Sequence, residues 1–499
     1  MKRIRKFRFS LAIFFGLAQP AHAQNSSAIV GQTAVPISGT PQPGPPLFPV
    51  GVRGRHLVDK TGAPFMVVGD SPQAIINIPL TGTASVDSYF SDRRAHGFNS
   101  AWINLICDSY TACPTNGATY DGIVPFTGML KGCTGGAPVC YDLTTENPAY
   151  FARVGAIINK AASYGILVFL DPISTDGCTK TNWMQTLINN GTERAVSYGA
   201  YLGNRYKRLP NIVWMSGNDF ECYKTASNDN LAADVVSGIE AAGDKHLQTS
   251  ELSNNYSTAK DDTGALGSLV TLNAAYTYYP SYDEVLHGYN QATLPIFMEE
   301  SNYEVSNNCC EPGEGIAPTK PVSQEVLRKQ EYWTMLSGAT GQLYGSRNAW
   351  RFTPGWTAQL DTPGVAYLGY MKRLFLSLPW YALVPDQDHV VMTSGYGSYA
   401  RSGTSNVTDN SYATTARAAT STETVVVAYI PAVRKVTIDM AQLGSHIMAQ
   451  WYDPTAGTYR MIAGSPFVDV GSRSFTPPGN NSAGDTDWVL WLQGNPRGE

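Results

Sequence analysis

Acids and amides recur just beyond short apolar runs. Asp70 follows Phe65–Gly69, Asn104 lies within Ser100–Ile106 with Asp108 after it, and Asp171 follows Ile166–Leu170. Asn218 and Asp219 come soon after Ile212–Met215, Glu299 and Glu300 directly after Leu294–Met298, and Tyr344 closes Thr340–Tyr344. If the runs are parallel strands, these groups share one end of the sheet. Carboxyls gathered there suit hydrolysis of a glycosidic bond, where one protonates the leaving oxygen and another attacks the anomeric carbon or activates water. Each residue also has a plainer reading. An Asp just after a strand commonly caps the next helix, which would account for Asp70 or Asp171 alone. Asp219 could be such a cap, though Gly217-Asn218 ahead of it suggests close approach to a ligand. Glu299 and Glu300 should point to opposite faces of a strand, and alternation leaves open which one faces a pocket.

The elements that would position these groups follow from the same runs. The apolar segments already named, with Leu247–Leu252 and Leu269–Ala275 between them, make eight candidate strands. Helical patterns separate several of them, at Tyr150–Ser163, Glu193–Arg208, Leu231–Ala242 and Ser323–Ser337. For the third, Asp229-Asn230 is the expected N-cap. Strand alternating with helix over eight units predicts an α/β fold, a closed (β/α)8 TIM barrel over residues 51–384, with reactive groups at the C-terminal strand ends. The fifth and sixth strands are short and polar. An open doubly wound sheet is the structural rival, but no G-x-G-x-x-G follows the first strand. After the amphipathic stretch Gly364–Leu378, β-rich runs such as Glu423–Ile430, Lys435–Met440, Ile447–Tyr452 and Trp488–Leu492 predict a small antiparallel β-sandwich over residues 385–499.

The N-terminus carries Lys2, Arg3, Arg5, Lys6 and Arg8 before the apolar run Phe9–Ala18, with Ala21-His22-Ala23 as a cleavage point. Residues 1–23 therefore read as a signal peptide, and the apolar run is too short for an anchor. Its removal takes the net charge from −5 towards −10. With no basic stripe, a nucleic-acid partner is disfavoured, and no later segment is long and apolar enough to span a membrane. Residues 24–50 are a Pro-rich tether. Eight cysteines suit an oxidising compartment. Close spacing favours Cys107–Cys113 and Cys133–Cys140, with Cys178–Cys222 and Cys309–Cys310 as the remaining pairs. A zinc site is the weaker reading, because C-x-x-C repeats and a His-x-x-x-His partner are missing, so neither metal nor cofactor is expected.

Several short motifs carry a resemblance. They are Pro64–Asp70, Gly97-Phe98-Asn99, Arg205-Tyr206-Lys207, Asn211–Asp219, Glu300–Glu304, Tyr344-Gly345 with Trp350, and Leu360–Gly364. Their order and spacing, from His56 to Asp386, are similar to the apiosidase-like glycoside hydrolases, secreted bacterial enzymes acting on plant polysaccharide side chains. The family's W-x-x-G-G-D signature falls on Trp214–Asp219, with Asn218 replacing the second Gly. That resemblance implies Asp219 as acid/base. The G-E-x-x-Y-E signature implies Glu300 as nucleophile, with Glu299 standing where Gly is usual. A second carboxylate there could raise a neighbour's pKa. The tail, with Trp451-Tyr452-Asp453-Pro454, resembles a sandwich often found behind this barrel and named for collagen binding. Its plainer role is to support the barrel.

On this reading the substrate is an oligo- or polysaccharide, held by Asp70, Asn104, Asp171, Asn218, Tyr276, Tyr344 and Trp350. Apolar ring faces suit sugar C–H faces, and Asp or Asn suits hydroxyls. Trp102 and Trp214 read as core. The long cysteine-bearing segment Cys107–Cys140 would narrow the pocket, favouring release of terminal sugars. The alternative is a non-catalytic carbohydrate-binding or adhesive protein, which the presence of both acids disfavours. A serine esterase lacks its G-x-S-x-G, and a zinc peptidase its H-E-x-x-H.

Overall fold

The computed structural model describes residues 47–306, 322–468 and 470–496. The signal peptide, most of the Pro-rich tether and the Cys309–Cys310 pair lie outside these residues.

Eight strands run parallel in one sheet: β1 (Val67–Asp70), β2 (Ser100–Asn104), β3 (Leu167–Asp171), β4 (Ile212–Gly217), β5 (Leu247–Glu251), β6 (Asn273–Tyr276), β7 (Ile296–Glu300) and β8 (Gly341–Tyr344). Ladders join β5-β4-β3-β2-β1-β8-β7-β6 in that order, with a short antiparallel strand, Tyr256–Ser257, beyond β6. The ring closes loosely between β5 and β6, where the Thr271 and Leu272 amides donate to Gln248 O at 2.9 and 3.1 Å. Those polar strands are the seam of the barrel.

Alternation puts Val67, Trp102, Phe169, Val213, Met215, Ala274, Phe297 and Leu343 in one interior cluster. Phe169 and Phe297 stack at 4.9 Å. Below them a three-stranded antiparallel flap, Gly51–Arg53, His56–Val58 and Pro64–Phe65, adds Leu57 and Phe65 to the same cluster. Trp102 is core, as expected, and Trp214 packs on the outer side against Tyr206.

Helices α1 (Val86–Ala95), α2 (Pro148–Ser163), α3 (Trp183–Tyr206), α4 (Ala226–Ala241), α5 (Thr258–Asp261), α6 (Ser281–Gln291), α7 (Gln324–Leu336) and α8 (Pro363–Leu376) follow the strands in turn. Two differ from the sequence expectation. The third begins at Trp183 instead of Glu193, because Asn182 caps a first segment that Gly191, at φ 71°, breaks from the second. The fourth begins at Ala226, because Asp229 is spent on the Ala265 and Leu266 amides at 2.5 and 3.3 Å instead of capping. These two helices pack closely: a Cβ on Gly199 would lie 2.0 Å from Val235 O, and one on Gly238 2.2 Å from Val196 O.

From Val384 the chain forms a six-stranded antiparallel sheet, whose long strands are Thr414–Ala419, Thr424–Ile430, Trp488–Asn495 and Ser445–Asp453, facing a three-stranded sheet. Val426, Ile430, Ile438, Leu490 and Leu492 fill the space between the sheets. The other face of the large sheet lies on α7 and α8, where Tyr332 stacks on Tyr429 at 4.9 Å. Within that contact Arg328 grips Asp487 with two bonds of 3.0 and 2.8 Å. A loop of this half also reaches back to the barrel rim. Ser402 Oγ donates to Asn255 Oδ1 at 2.8 Å and lies 3.2 Å from Thr277 Oγ1.

Candidate active site

The site lies at the C-terminal ends of β4 to β7. After β4 the backbone turns through two left-handed residues, Gly217 at φ 99° and Asp219 at φ 49°. A Cβ on Gly217 would sit 2.5 Å from Glu251 O, so only glycine lets β4 approach β5 this closely. Asn218 is fixed from both sides: Ser174 Oγ donates to its Oδ1 at 3.0 Å, and its Nδ2 donates to Glu251 Oε2 at 3.0 Å. The same carboxyl oxygen accepts from the Asp219 amide at 3.1 Å. The disulfide Cys178–Cys222 ties the loop after β3 to the segment after Asp219.

On β7 a bulge decides between the neighbouring glutamates. Met298 pairs with Ala275, but Glu300 pairs with Tyr276, so Glu299 is the extra residue. Glu300 is thereby placed beside the inward-facing Tyr276 and is 8% exposed against 1% for Glu299. Tyr278 donates to Glu300 Oε1, and Tyr303 donates to Oε2 at 2.7 Å. The Tyr276 hydroxyl lies 2.8 Å from that of Tyr278 and 3.2 Å from Asp219 Oδ1. Two phenols therefore span the distance between Asp219 and Glu300.

Burial and charge act in one direction here. Burial, then the charges of Glu300, Asp219 and Glu299, push the Glu251 carboxyl well above its usual range. Glu299 is pushed up by burial, then by Glu300 and Asp219. Both shifts favour the neutral carboxyl. Tyr276, Tyr278 and Tyr303 are pushed up by burial and the adjoining carboxylates, so they stay protonated.

The other expected residues divide. Asn104 and Asp171 face inward at the ends of β2 and β3, each fully buried; both amide atoms of Asn104 and Oδ2 of Asp171 lack a hydrogen-bond partner. Burial, then Asp108, raises the Asp171 carboxyl. Trp350 lies edge-on to Tyr303 at 6.2 Å and faces Tyr110, an exposed ring on the Cys107–Cys113 loop, at 5.4 Å. Asp70 and Tyr344 are different. Asp70 is enclosed by Tyr89 (2.6 Å), Arg93 (3.2 Å) and the Ser71 amide (2.8 Å), so its oxygens are committed to α1 and the backbone. Tyr344 points outward between β8 and α8, donating to Glu304, which also accepts from Thr362 at 2.6 Å. Neither side chain faces the site. Both lie one residue out of phase with the inward Gly69 and Leu343, which alternation could have revealed.

Sequence reasoning missed Glu251, Tyr278 and Tyr303. Leu247, Thr249 and Glu251 alternate inward on β5, and Tyr276 and Tyr278 repeat at the same spacing of two. Among the described residues, one trio has ligand atoms close enough to share a cation: Asp92, His96 and Asp361. It lies at the end of α1, and Asp92 is already engaged by Arg93.

Comparison with known proteins agrees with this fold. Residues 52–382 match the family model described as "Apiosidase-like, catalytic domain", and residues 403–493 match one described as "Putative collagen-binding domain of a collagenase". Among curated proteins, none matches the chain at a significant level. A solved structure described as a glycoside hydrolase is similar at TM-score 0.69 and 19% identity, covering 90% of this chain and 97% of its own. A glycoside hydrolase family 5 structure from Bacteroides vulgatus ATCC 8482 is similar at TM-score 0.69 and 20% identity, covering 89% and 92%. A barrel with acids at its C-terminal rim, in a chain matched across about two thirds of its length by one catalytic family, leaves a plain conclusion: the chain belongs to the apiosidase-like family of glycoside hydrolases.

Proposed function

We propose that this glycoside hydrolase is exported and acts with retention of configuration, removing terminal apiose or a similar pentose or furanose unit from polysaccharide side chains. Glu300 attacks the anomeric carbon while Asp219 protonates the departing oxygen. Asp219 then takes a proton from water as that water releases the sugar from Glu300. The observation carrying this reading is that Asp219, just after β4, and Glu300, on β7, meet opposite ends of one linked pair of tyrosine hydroxyls. Glu300 accepts two phenol bonds, as a nucleophile that must stay ionised requires.

Asn218 has its amide fixed at the rim and is suited to a sugar hydroxyl. The unpaired atoms of Asn104 and Asp171 offer further bonds in the floor. Tyr110 and Trp350 form an aromatic wall on the side of the stapled Cys107–Cys140 segment, which supports release of chain ends over internal cleavage. Three disulfides among the described residues support an oxidising destination, and among the same residues no helix is long and apolar enough to cross a membrane.

The test is sugar release from a panel of plant and bacterial polysaccharides by wild type and Glu300→Gln. Release of one sugar by wild type alone supports the reading and names the substrate. Equal release by both proteins removes Glu300 from the mechanism, and turns attention to Glu299.

A further inference from the structure

Asp219 and Glu300 are joined by a line of four oxygens. Asp219 Oδ1 is 3.2 Å from the Tyr276 hydroxyl, that hydroxyl is 2.8 Å from Tyr278, and Tyr278 meets Glu300 Oε1. For the three contacts of the line to be hydrogen bonds at once, each needs a proton between its oxygens. The two phenols supply only two. The third proton must come from a carboxyl at one end. The nucleophile role proposed above makes Glu300 the charged end, and Tyr303 also donates to its second oxygen at 2.7 Å. The proton therefore sits on Asp219.

We propose that Tyr276 and Tyr278 are positioning residues forming a reversible hydroxyl relay, through which Asp219 and Glu300 keep one negative charge between them and which reverses direction in each turnover. The inference rests on the roles assigned above. In the resting site Asp219 donates to Tyr276, Tyr276 to Tyr278, and Tyr278 to the Glu300 carboxylate. When Glu300 bonds to the anomeric carbon, the Asp219 proton leaves on the departing oxygen. The pair's single negative charge has then moved from Glu300 to Asp219. Both hydroxyls rotate, so that Tyr278 donates to Tyr276 and Tyr276 to the Asp219 carboxylate. Water then attacks the anomeric carbon, its proton passes to Asp219, and Glu300 departs as a carboxylate. The line turns back. Each phenol keeps one proton throughout, and the charge of the pair is constant.

The surroundings favour this arrangement. Glu251 from β5, Glu299 from β7 and Tyr303 beyond it face the line, all acidic or phenolic. Burial keeps both phenols protonated, so they can turn without ionising.

Tyr278 does not touch Asp219, and this makes the relay testable in the substrate-free full chain. The titration of Asp219 is followed by the infrared band of its protonated carboxyl, assigned as the band lost in Asp219→Asn; Glu251→Gln identifies the neighbouring acid's contribution. In Tyr278→Phe, Tyr276 is released to donate permanently to the Asp219 carboxylate. The Asp219 titration should then fall by about one pH unit, the size expected for one hydrogen bond to a charged group. In the Tyr276→Phe background the same change at Tyr278 should shift it far less, because the connecting hydroxyl is gone. No shift in Tyr278→Phe, or an equal shift in both backgrounds, overturns the relay. The losses of sugar release in the two Phe variants give a second measure. A double variant no slower than the worse single one supports a shared line, and multiplying losses overturn it. Survival of sugar release in Glu300→Gln would instead overturn the role assignment, which the infrared comparison does not use.

Discussion

Two corners of the barrel bury carboxylates, and they treat them in opposite ways. At the end of β1, Asp70 is 1% exposed and surrounded by donors, among them Arg93, itself 2% exposed. Burial pushes the Asp70 carboxyl upward, but Arg93, Tyr89 and the Ser71 amide pull against it. At the ends of β5 and β7, Glu251 and Glu299 are as deeply buried, yet the nearest charges have the same sign and add to the effect of burial. A buried acid with its own cation fixes structure. Buried acids that crowd each other cost folding energy and hold proton chemistry ready. The Arg328–Asp487 pair beneath the sandwich belongs with the first kind.

That contrast makes different demands on activity and stability. The largest effect should be Glu300→Gln, which should slow sugar release by at least about a thousandfold, on the order of 4 kcal/mol in activation free energy. Its denaturant midpoint should be equal to wild type or higher, since a crowded charge has been removed. Next is Arg93→Met. Leaving Asp70 buried without its cation should cost about 3 kcal/mol in urea unfolding. A loss below about 1 kcal/mol would undo the distinction between the two corners.

A third prediction concerns Glu331, buried on α7, whose carboxyl burial pushes up to about 8, against the pull of Arg328. Its folded pKa is raised, so between about pH 4.5 and 8 the folded state binds the extra proton and stability falls as pH rises. The contribution is roughly 1.4 kcal/mol per pH unit. Glu331→Gln should remove that slope, as read from unfolding midpoints across this window. The smallest effect should be Glu251→Gln. A neutral Glu251 acts mainly through Oε2, which accepts from Asn218 and the Asp219 amide, and an amide oxygen can do the same. Sugar release should therefore stay within about tenfold of wild type, a loss under about 1.4 kcal/mol. A much larger loss would mean that Glu251 works as an anion.

Much of this was legible before any coordinates. Alternating apolar and helical segments predicted the barrel, the change of pattern near Val384 predicted the sandwich, and close spacing picked out Cys107–Cys113 and Cys133–Cys140. Asp219 and Glu300 were singled out by the family resemblance of short motifs, and the fold links them through Tyr276 and Tyr278. What stayed hidden depends on register. Choosing between Glu299 and Glu300 required the bulge opposite Ala275 and Tyr276, which no period of two can reveal. Asp70 and Tyr344 were assigned to the pocket by position along the strand, while their phase turns them towards α1 and α8. Helix α1, too polar to stand out, supplies the Tyr89 and Arg93 that claim Asp70. Glu251 was overlooked because β5 is short and polar, although its alternation carries the signal.

The Ser402 contact gives the C-terminal half a stake in the chemistry. Ser402 is bound to Asn255 and Thr277, and Thr277 is the residue between Tyr276 and Tyr278. The apolar face around Tyr429 is spent on α7 and α8. Cutting the chain at 384 would therefore not produce a leaner enzyme. It would uncover a greasy flank, strip the buried Arg328 of its acids, and leave the strand end bearing both phenols without its outer brace. The two halves are better understood as one machine whose working edge is held from behind, and a swap of either half between relatives would have to carry its matching rim with it.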